Sequence, residues 1–310
     1  MKSILFTSKG VTEIVDEPTP TCGEDQVLLR TLFSGLSNGT ERSFLVGGPY
    51  GGRKWPSRIG YLNVSEVVEK GSGVTRFEVG DVVYTGTFPG HVEYHTAKEA
   101  ALMVKVPPDL RPEAATMLGI ASVAHFNAVR ADVSPEDRVL VTGAGGIGLM
   151  AVQAAKSMGA RVTMASHTRR RRERAASMGA DAVFDPDTQA DALRQAGPYS
   201  VLLECAGIEL DPLMKKRTAL LAPFARVALV AGRDRVDYGF VAASLLRVSF
   251  QQSTHFDQPT LDAVTAQAAD GTISPAALVQ EVVPIAEAVQ VYERLRDDPM
   301  SVGGTVLAWI

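Results

Sequence analysis

The chain has little cysteine and no long hydrophobic run, and each shortage excludes a class of protein. Its two cysteines, Cys22 and Cys205, stand in neither a CxxC nor a Cys/His spacing. This excludes a disulfide-stapled scaffold and a zinc knuckle, and it favours the reducing cytoplasm. No uncharged apolar stretch of about 18 residues is present to span a bilayer, and residues 1–10 lack the apolar core of a signal peptide. We therefore expect a cytoplasmic protein with no membrane partner.

The chain also lacks an excess of either charge. Its net charge is −4, with 31 lysines and arginines against 35 acids, which gives no reason to expect nucleic acid as a partner. Hydrophobic residues make up 45% of the 310 positions, which is enough for two ordinary globular domains. A small molecule is the expected partner.

A glycine-rich segment at residues 143–148 predicts a dinucleotide-binding turn. It follows a short apolar run at 139–141 and precedes an Ala-, Leu- and Met-rich stretch at 147–158, so strand, tight turn and helix come in the required order. The glycines permit the turn and let the backbone approach a pyrophosphate, while the helix start offers free N–H groups. The predicted cofactor residues here are Gly143, Gly145, Gly146, Ile147 and Gly148.

The next strand, at residues 161–165, ends without the acid that would hold a ribose 2′-hydroxyl. Ser166 stands there, His167 follows, and the first acid is Glu173. A carboxylate would repel a 2′-phosphate, whereas hydroxyl and basic groups bind it. The predicted cofactor is therefore NADP(H).

Four consecutive arginines at residues 169–172 strengthen this cofactor prediction. Cations at the start of a helix are unfavourable, so the run calls for a compensating anion, although a merely solvated basic helix start is the alternative. Helical spacing spreads the four side chains around the axis, and we expect Arg170 and Arg171 to bind the phosphate.

Hydrophobic patterning predicts an α/β protein with three segments. Residues 1–110 show short strands and turns, typical of a β-rich domain, and residues 111–254 alternate strands with helices, typical of a doubly wound parallel sheet. Residues 255–310 are expected to return to the first domain. Strands are predicted at 3–7, 26–33, 62–68, 81–85, 92–95, 139–141, 161–165, 182–184, 201–204, 226–231, 246–250, 278–283 and 304–310, and helices at 114–131, 147–158, 258–269 and 285–296.

Several segments resemble the medium-chain dehydrogenase/reductase superfamily, and the resemblance covers essentially the whole chain. The segments are SGLSNGTE at 34–41, GYLNVSEVV at 60–68, FEVGDVV at 77–83, the glycine turn, MGAD at 178–181 and ECAG at 204–207. The resemblance implies a GroES-like catalytic domain, a Rossmann NADP-binding domain and a homodimer. It also adds Ala206, Gly207 and Gly232 to the expected cofactor residues.

The chain departs from the zinc-dependent members of this superfamily at each expected ligand. Ser37 or Asn38 replaces the ligand cysteine, Tyr61 replaces the histidine, and residues 118–121 offer no ligand side chain. The cysteines of the structural zinc lobe are also absent. Because zinc needs three or four such donors, we predict a zinc-free enzyme of the NADP(H)-dependent branch. An extra residue before Gly39 makes the first segment similar to the bacteriochlorophyllide dehydrogenase group.

Without zinc, a hydrogen-bond donor must stabilise the charge that develops on the substrate. Thr40 occupies the superfamily's proton-relay position, and Tyr61 stands where a ligand points into the cleft; a turn threonine and a packing tyrosine are the alternatives. Asn38 or Ser37 is a further hydrogen-bonding candidate. His125 is another, although a histidine on an apolar helix is more often structural. The remaining polar candidates are expected to be architectural or solvated: Glu41, His91 and His95 on one strand face, and the basic loop at 42–58.

The expected reaction is carbonyl reduction or secondary alcohol oxidation. Reduction of an activated C=C bond, as in enoyl or quinone reductases, uses the same fold and cofactor and is the first alternative. A non-catalytic NADPH-binding protein is the second.

Overall fold

A computed structural model describes residues 1–49, 51–215 and 219–310; Tyr50, in the basic loop, lies outside the described residues. The chain divides into two compact units: the first unit comprises residues 1–119 and 261–310, and the second unit residues 120–260. Across the described residues, no helix combines the length and apolar character that crossing a membrane requires.

The described residues between 1 and 117 form seven strands and two helices. These are β1 (Lys2–Ser8), β2 (Val11–Asp16), β3 (Gln26–Gly35), α1 (Asn38–Val46), β4 (Asn63–Lys70), β5 (Val82–Thr85), β6 (Tyr94–Lys98), β7 (Met103–Lys105) and α2 (Pro112–Ala115).

The central segment alternates helices and strands. Its elements are α3 (Leu118–Arg130), β8 (Arg138–Thr142), α4 (Gly146–Ser157), β9 (Arg161–Ala165), α5 (Arg169–Ser177), β10 (Ala182–Phe184), α6 (Ala190–Gln195), β11 (Tyr199–Glu204), α7 (Asp211–Met214), β12 (Leu221–Leu229), α8 (Phe240–Leu246) and β13 (Ser249–Gln252).

The C-terminal segment supplies the last two strands. It contains α9 (Gln258–Ala269), a 3₁₀ turn (Pro275–Leu278), β14 (Glu281–Pro284), a second 3₁₀ turn (Ile285–Glu287), α10 (Ala288–Asp297) and β15 (Thr305–Ala308).

A seven-stranded sheet forms the frame of the first unit, in the order β14-β15-β3-β4-β5-β7, with β6 also paired to β3. The C-terminal strand β15 pairs antiparallel with β3, so both ends of the chain contribute to the sheet. Period-two alternation turns one set of side chains inward. The buried set includes Val27, Leu29, Val67, Val83 and Met103.

The second unit is a parallel sheet in the order β10-β9-β8-β11-β12-β13. Its central strands are apolar because helices cover both faces of such sheets; Val139, Leu140, Leu202 and Val227 are all fully buried. The strand order reverses between β8 and β11, which is where such sheets bind their ligands. The expected α/β fold, with a β-rich domain and a doubly wound parallel sheet, is confirmed.

Three expectations from the sequence are wrong in detail. Residues 42–46, expected to belong to the basic loop at 42–58, lie in helix α1. His91 lies outside the strand that was to carry both histidines, because β6 begins only at Tyr94. Leu246 ends helix α8 and strand β13 starts at Ser249, so the strand predicted at 246–250 begins later. Each error falls where short elements meet, and there tertiary contacts outweigh local propensity.

Candidate active site

Three hydroxyl groups meet in the first unit, and we call Ser37, Thr40 and Tyr61 the hydroxyl cluster. Ser37 is the N-cap of α1, Thr40 lies in its first turn, and Tyr61 lies two residues before the start of β4. The Tyr61 phenol donates a hydrogen bond to Ser37 Oγ, and its Oη lies 3.3 Å from Thr40 Oγ1. All three side chains are half-buried. A phenol between two hydroxyls can act as both donor and acceptor, which suits proton transfer.

Asn38 makes a different contact from the one expected. Its side-chain amide donates to the backbone carbonyl of Val302, which ties the start of α1 to the segment before β15. This contact assigns Asn38 a structural role in holding the loop. Ser37, the other candidate named for this position, is the residue whose hydroxyl bonds to Tyr61.

A buried carboxylate lies beneath the hydroxyl cluster. Glu41 is fully buried, and its Oε1 accepts a 2.7 Å hydrogen bond from the Ser37 backbone N–H. Its Oε2 accepts a 2.7 Å hydrogen bond from Tyr292 and lies 3.2 Å from His91 Nε2. Proximity to Glu41 and burial both raise the pKa of Tyr292, burial more, so this phenol stays protonated as a donor.

The first unit does not offer a donor set that fits a catalytic zinc at the superfamily positions. Hydroxyls of Ser37 and Tyr61 stand there, and zinc takes thiolate, imidazole or carboxylate ligands. The third position was expected among residues 118–121, where no side chain offers a ligand atom and a Cβ on Gly119 would overlap the Tyr84 hydroxyl. The first unit's cysteine, Cys22, instead donates its thiol to the Gln26 carbonyl at 3.2 Å.

The glycine turn of the second unit has the geometry of a dinucleotide cradle. Gly143 has a φ of +83°, and a Cβ on Gly148 would overlap the Gly143 carbonyl oxygen, so both positions need glycine. A Cβ on Gly145 would meet nothing within 4 Å, which leaves open space beside the start of α4. Gly145 is the N-cap and Gly146 the first residue of that helix, while Ile147 is half-buried. Free helix N–H groups beside open space fit a pyrophosphate.

Glu204, which the sequence analysis did not single out, organises the neighbouring turn after β11. Its buried Oε1 accepts hydrogen bonds from the N–H groups of Ala206 at 2.7 Å and Gly207 at 2.6 Å. Its Oε2 forms an ion pair with Arg233. A Cβ on Gly143 would lie 2.8 Å from the Ala206 Cβ, so this turn packs against the glycine turn. A buried acid at the end of an apolar strand was the available signal.

The arginine run divides into two roles. Arg172 is half-buried and donates to the carbonyls of Ser166 at 2.6 Å and His167 at 2.7 Å, which braces the turn after β9. It also pairs with Asp185 at 3.0 Å, and Arg169 pairs with Glu173 at 2.8 Å.

Arg170 is exposed and Arg171 half-buried on the same helix. Burial, together with the charges of Arg170 and Arg171, lowers the pKa of Arg174. The helix therefore carries a concentrated positive charge, which attracts anions. Ser166, at the end of β9, is buried.

Two acids after β10 approach the predicted phosphate site. His167 Nδ1 lies 2.9 Å from Asp187, and the ligand atoms of His167, Asp185 and Asp187 lie within 4.8 Å of one another. Because Asp185 already pairs with Arg172, this grouping is an ion-pair network around the turn. Sequence analysis missed these acids because they lie on the adjacent strand connection.

Two further predicted residues belong to the second unit. His125 lies on α3 with 8% of its surface exposed, and burial lowers its pKa, so it is held uncharged. Gly232 is exposed just after β12 and directly precedes Arg233.

Two family models match the chain. Residues 23–136 match the alcohol dehydrogenase GroES-like domain, and residues 146–269 match the zinc-binding dehydrogenase family. Sorbitol dehydrogenase of Halalkalibacterium halodurans is 27% identical over 280 residues, covering 77% of this chain and 80% of that protein. Cinnamyl alcohol dehydrogenase 2 of Oryza sativa subsp. japonica is 30% identical over 213 residues, covering 56% of this chain; the match spans less than two thirds of that relative, 58%.

A solved structure shows the same fold. Alcohol dehydrogenase TADH from Thermus sp. ATN1 superposes with a TM-score of 0.87 at 23% identity, covering 99% of each chain. Together, the two matched domains, the glycine turn and the parallel six-stranded sheet show that the chain belongs to the medium-chain dehydrogenase/reductase superfamily of nicotinamide-dependent oxidoreductases.

Proposed function

We propose that this chain is a zinc-independent, NADP(H)-dependent oxidoreductase that reduces a carbonyl compound to the alcohol or oxidises the matching secondary alcohol. The hydroxyl cluster carries the proposal, since it provides proton donors where zinc-dependent relatives hold their metal. When bound, the nicotinamide cofactor supplies or accepts the hydride.

The chain's own hydroxyls would manage the proton. As the carbonyl carbon receives a hydride, its oxygen becomes negative and needs a donor. Tyr61 would give its proton to a substrate oxygen placed against the cluster, and the resulting phenolate would accept hydrogen bonds from Ser37 and Thr40. Water would then restore the proton. In alcohol oxidation the same steps run in reverse.

The preference for NADP(H) is supported by the charges around the end of β9. Ser166 ends the strand without a carboxylate, and α5 presents Arg170 and Arg171 beside a turn that Arg172 braces. A 2′-phosphate would neutralise part of the charge on α5, whereas the 2′-hydroxyl of NADH cannot.

Cinnamaldehyde is an informative substrate for testing this function, because it offers a carbonyl and a conjugated C=C bond to the same enzyme. The purified protein, stripped with EDTA and checked for zinc by mass spectrometry, is assayed with NADPH or NADH against cinnamaldehyde and a panel of saturated aldehydes and ketones. We expect metal-free turnover to the alcohol, with NADPH preferred.

Three results would contradict the proposal. The saturated aldehyde as the product of cinnamaldehyde would assign the chain to the C=C reductases. Activity that needs about one zinc per chain would refute zinc independence. NADPH binding without turnover on any compound would indicate a non-catalytic NADPH-binding protein.

A further inference from the structure

Glu41 is an acid in the interior of the first unit. It is fully buried, although burying a carboxylate costs several kcal/mol unless it is well compensated. Its compensation comes from the nearby Ser37 backbone and from two residues distant in the sequence, His91 and Tyr292. Tyr292 and His91 are themselves fully buried. The carboxylate is therefore rigidly held by groups that cannot reorient into solvent.

The hydrogen-bonding groups around His91 allow an arrangement that supports Glu41. The Trp309 indole, which can only donate, donates to Ser34 Oγ at 2.9 Å. Ser34 can then donate its own proton to His91 Nδ1, 2.8 Å away. That arrangement leaves a proton on Nε2, which faces Glu41 Oε2 at 3.2 Å. In this tautomer the Nε2–H group of the imidazole faces the carboxylate.

The other carboxylate oxygen acts on the hydroxyl cluster. Glu41 Oε1 accepts a hydrogen bond from the Ser37 N–H at 2.7 Å, and Ser37 Oγ accepts a hydrogen bond from the Tyr61 hydroxyl. Thr40, the third member, directly precedes Glu41 in the first turn of α1. A negative charge in that turn also favours the helix dipole. One charge-assisted hydrogen bond therefore sets the position of the residue that orients the phenol.

We propose that Glu41 is a positioning residue for the reaction: held by His91 and Tyr292, it fixes Ser37 so that the hydroxyls of Ser37, Tyr61 and Thr40 form one aligned proton-donating group. The inference rests on the proposed function of the hydroxyl cluster. Glu41 touches no reacting atom and acts only through Ser37.

The test compares Glu41→Gln with Tyr61→Phe and with the double variant, using NADPH and the best carbonyl substrate of the panel. Glutamine keeps the shape and an acceptor oxygen but removes the charge that strengthens the Ser37 hydrogen bond. We expect kcat to fall about tenfold in Glu41→Gln and about a hundredfold in Tyr61→Phe, with KM and NADPH affinity within about twofold. Glu78→Gln, which changes an exposed acid of the same unit, is the matched control and should keep full activity.

The double variant separates positioning from general structural damage. If Glu41 acts through the cluster, the double variant is no slower than Tyr61→Phe, because the group it positions is already gone. Multiplicative losses would overturn the inference. Full activity in Glu41→Gln, with Tyr61→Phe impaired, would refute the positioning role alone; full activity in Tyr61→Phe would instead refute the proposed donor.

Amide hydrogen exchange at Ser37 gives a readout that needs no substrate. The Ser37 N–H should be strongly protected in the native protein and exchange at least about tenfold faster in Glu41→Gln, while amides of β4 stay unchanged. Equal exchange in both proteins would refute the inference. Should Glu41→Gln fail to fold, His91→Gln is measured instead, with faster Ser37 exchange expected because Glu41 loses one of its supports.

Discussion

His95 allows a quantitative test of the buried structure of the first unit. Its ring is 5% exposed, and neither ring nitrogen has a hydrogen-bond partner among the residues the structure describes. Burial lowers the pKa of His95 to about 4 from an ordinary 6.5. The unfolded chain therefore takes up this proton at a higher pH than the folded protein does.

The sign and size of the effect follow from proton linkage. Stability from this residue is fully present above pH 6.5, is lost as the pH falls, and stops changing below about pH 4, where both states are protonated. A pKa difference of about 2.5 corresponds to about 3 kcal/mol in total, of which about 2 kcal/mol is lost between pH 7 and pH 5. That is a large part of a typical folding free energy.

Urea unfolding of the native protein and of His95→Leu, followed by tryptophan fluorescence at pH 7, 6 and 5, measures this loss. Both tryptophans, Trp55 and Trp309, lie in the first unit, so the signal reports on the unit that contains His95. We expect the native protein to lose about 2 kcal/mol more than His95→Leu between pH 7 and pH 5. His255→Leu, at an exposed histidine of the second unit, should follow the native protein. Parallel losses in native protein and His95→Leu would refute the reasoning.

Two further predictions concern the cofactor site. Arg170→Ala and Arg171→Ala should each weaken NADPH binding by about 10- to 100-fold and leave NADH binding unchanged, because a charge-assisted hydrogen bond to the 2′-phosphate is lost. Calorimetric titration measures the affinity for each nucleotide. Equal losses of NADPH and NADH affinity, or a similar loss of NADPH affinity in the control Arg194→Ala on α6, would contradict this prediction. Gly145→Ala should keep the native unfolding midpoint but weaken NADPH binding about tenfold, because the new methyl enters open space beside the helix start. Gly148→Ala should lose about 1–3 kcal/mol of stability, because its methyl overlaps the Gly143 carbonyl. Urea unfolding of Gly148→Ala at the native midpoint would disprove this description of the turn. Native NADPH affinity in Gly145→Ala would disprove it as well.

Local features were readable from the sequence because their physics is local. The glycine turn needs its glycines for backbone angles and close approaches within a few residues, so strand, turn and helix appear in order at 139–158. The alternation of apolar and polar residues in the first sheet and the alternation of strands with helices in the second are also local patterns. The superfamily motifs of the first unit each lie within a short segment. The helix at 258–269 was also predicted with its observed ends.

Helix α1 shows where local reasoning fails. Asn38-Gly39 favours a turn, yet the helix forms because Glu41 accepts the Ser37 N–H and is itself stabilised by His91 and Tyr292. Likewise, nothing local in the run at 169–172 distinguishes Arg172, whose partner Asp185 lies on the neighbouring strand connection, from Arg170.

The sequence by itself determined the two-sheet fold and the dinucleotide turn, since each depends on residue types at short spacing, and the resemblance to the superfamily added the hydroxyl-bearing residues at the zinc-ligand positions. Only the tertiary structure decided that the Tyr61 hydroxyl bonds to Ser37 and not to Asn38, and that Glu41 supports this contact. It also decided that Glu204, paired with Arg233, shapes the turn after β11. Tyr61 and Ser37, like Glu204 and Arg233, lie far apart along the chain, and Glu41 is itself held by the distant Tyr292. Their strength comes from burial, which no local pattern records and which makes each unpaired charge too costly to leave alone.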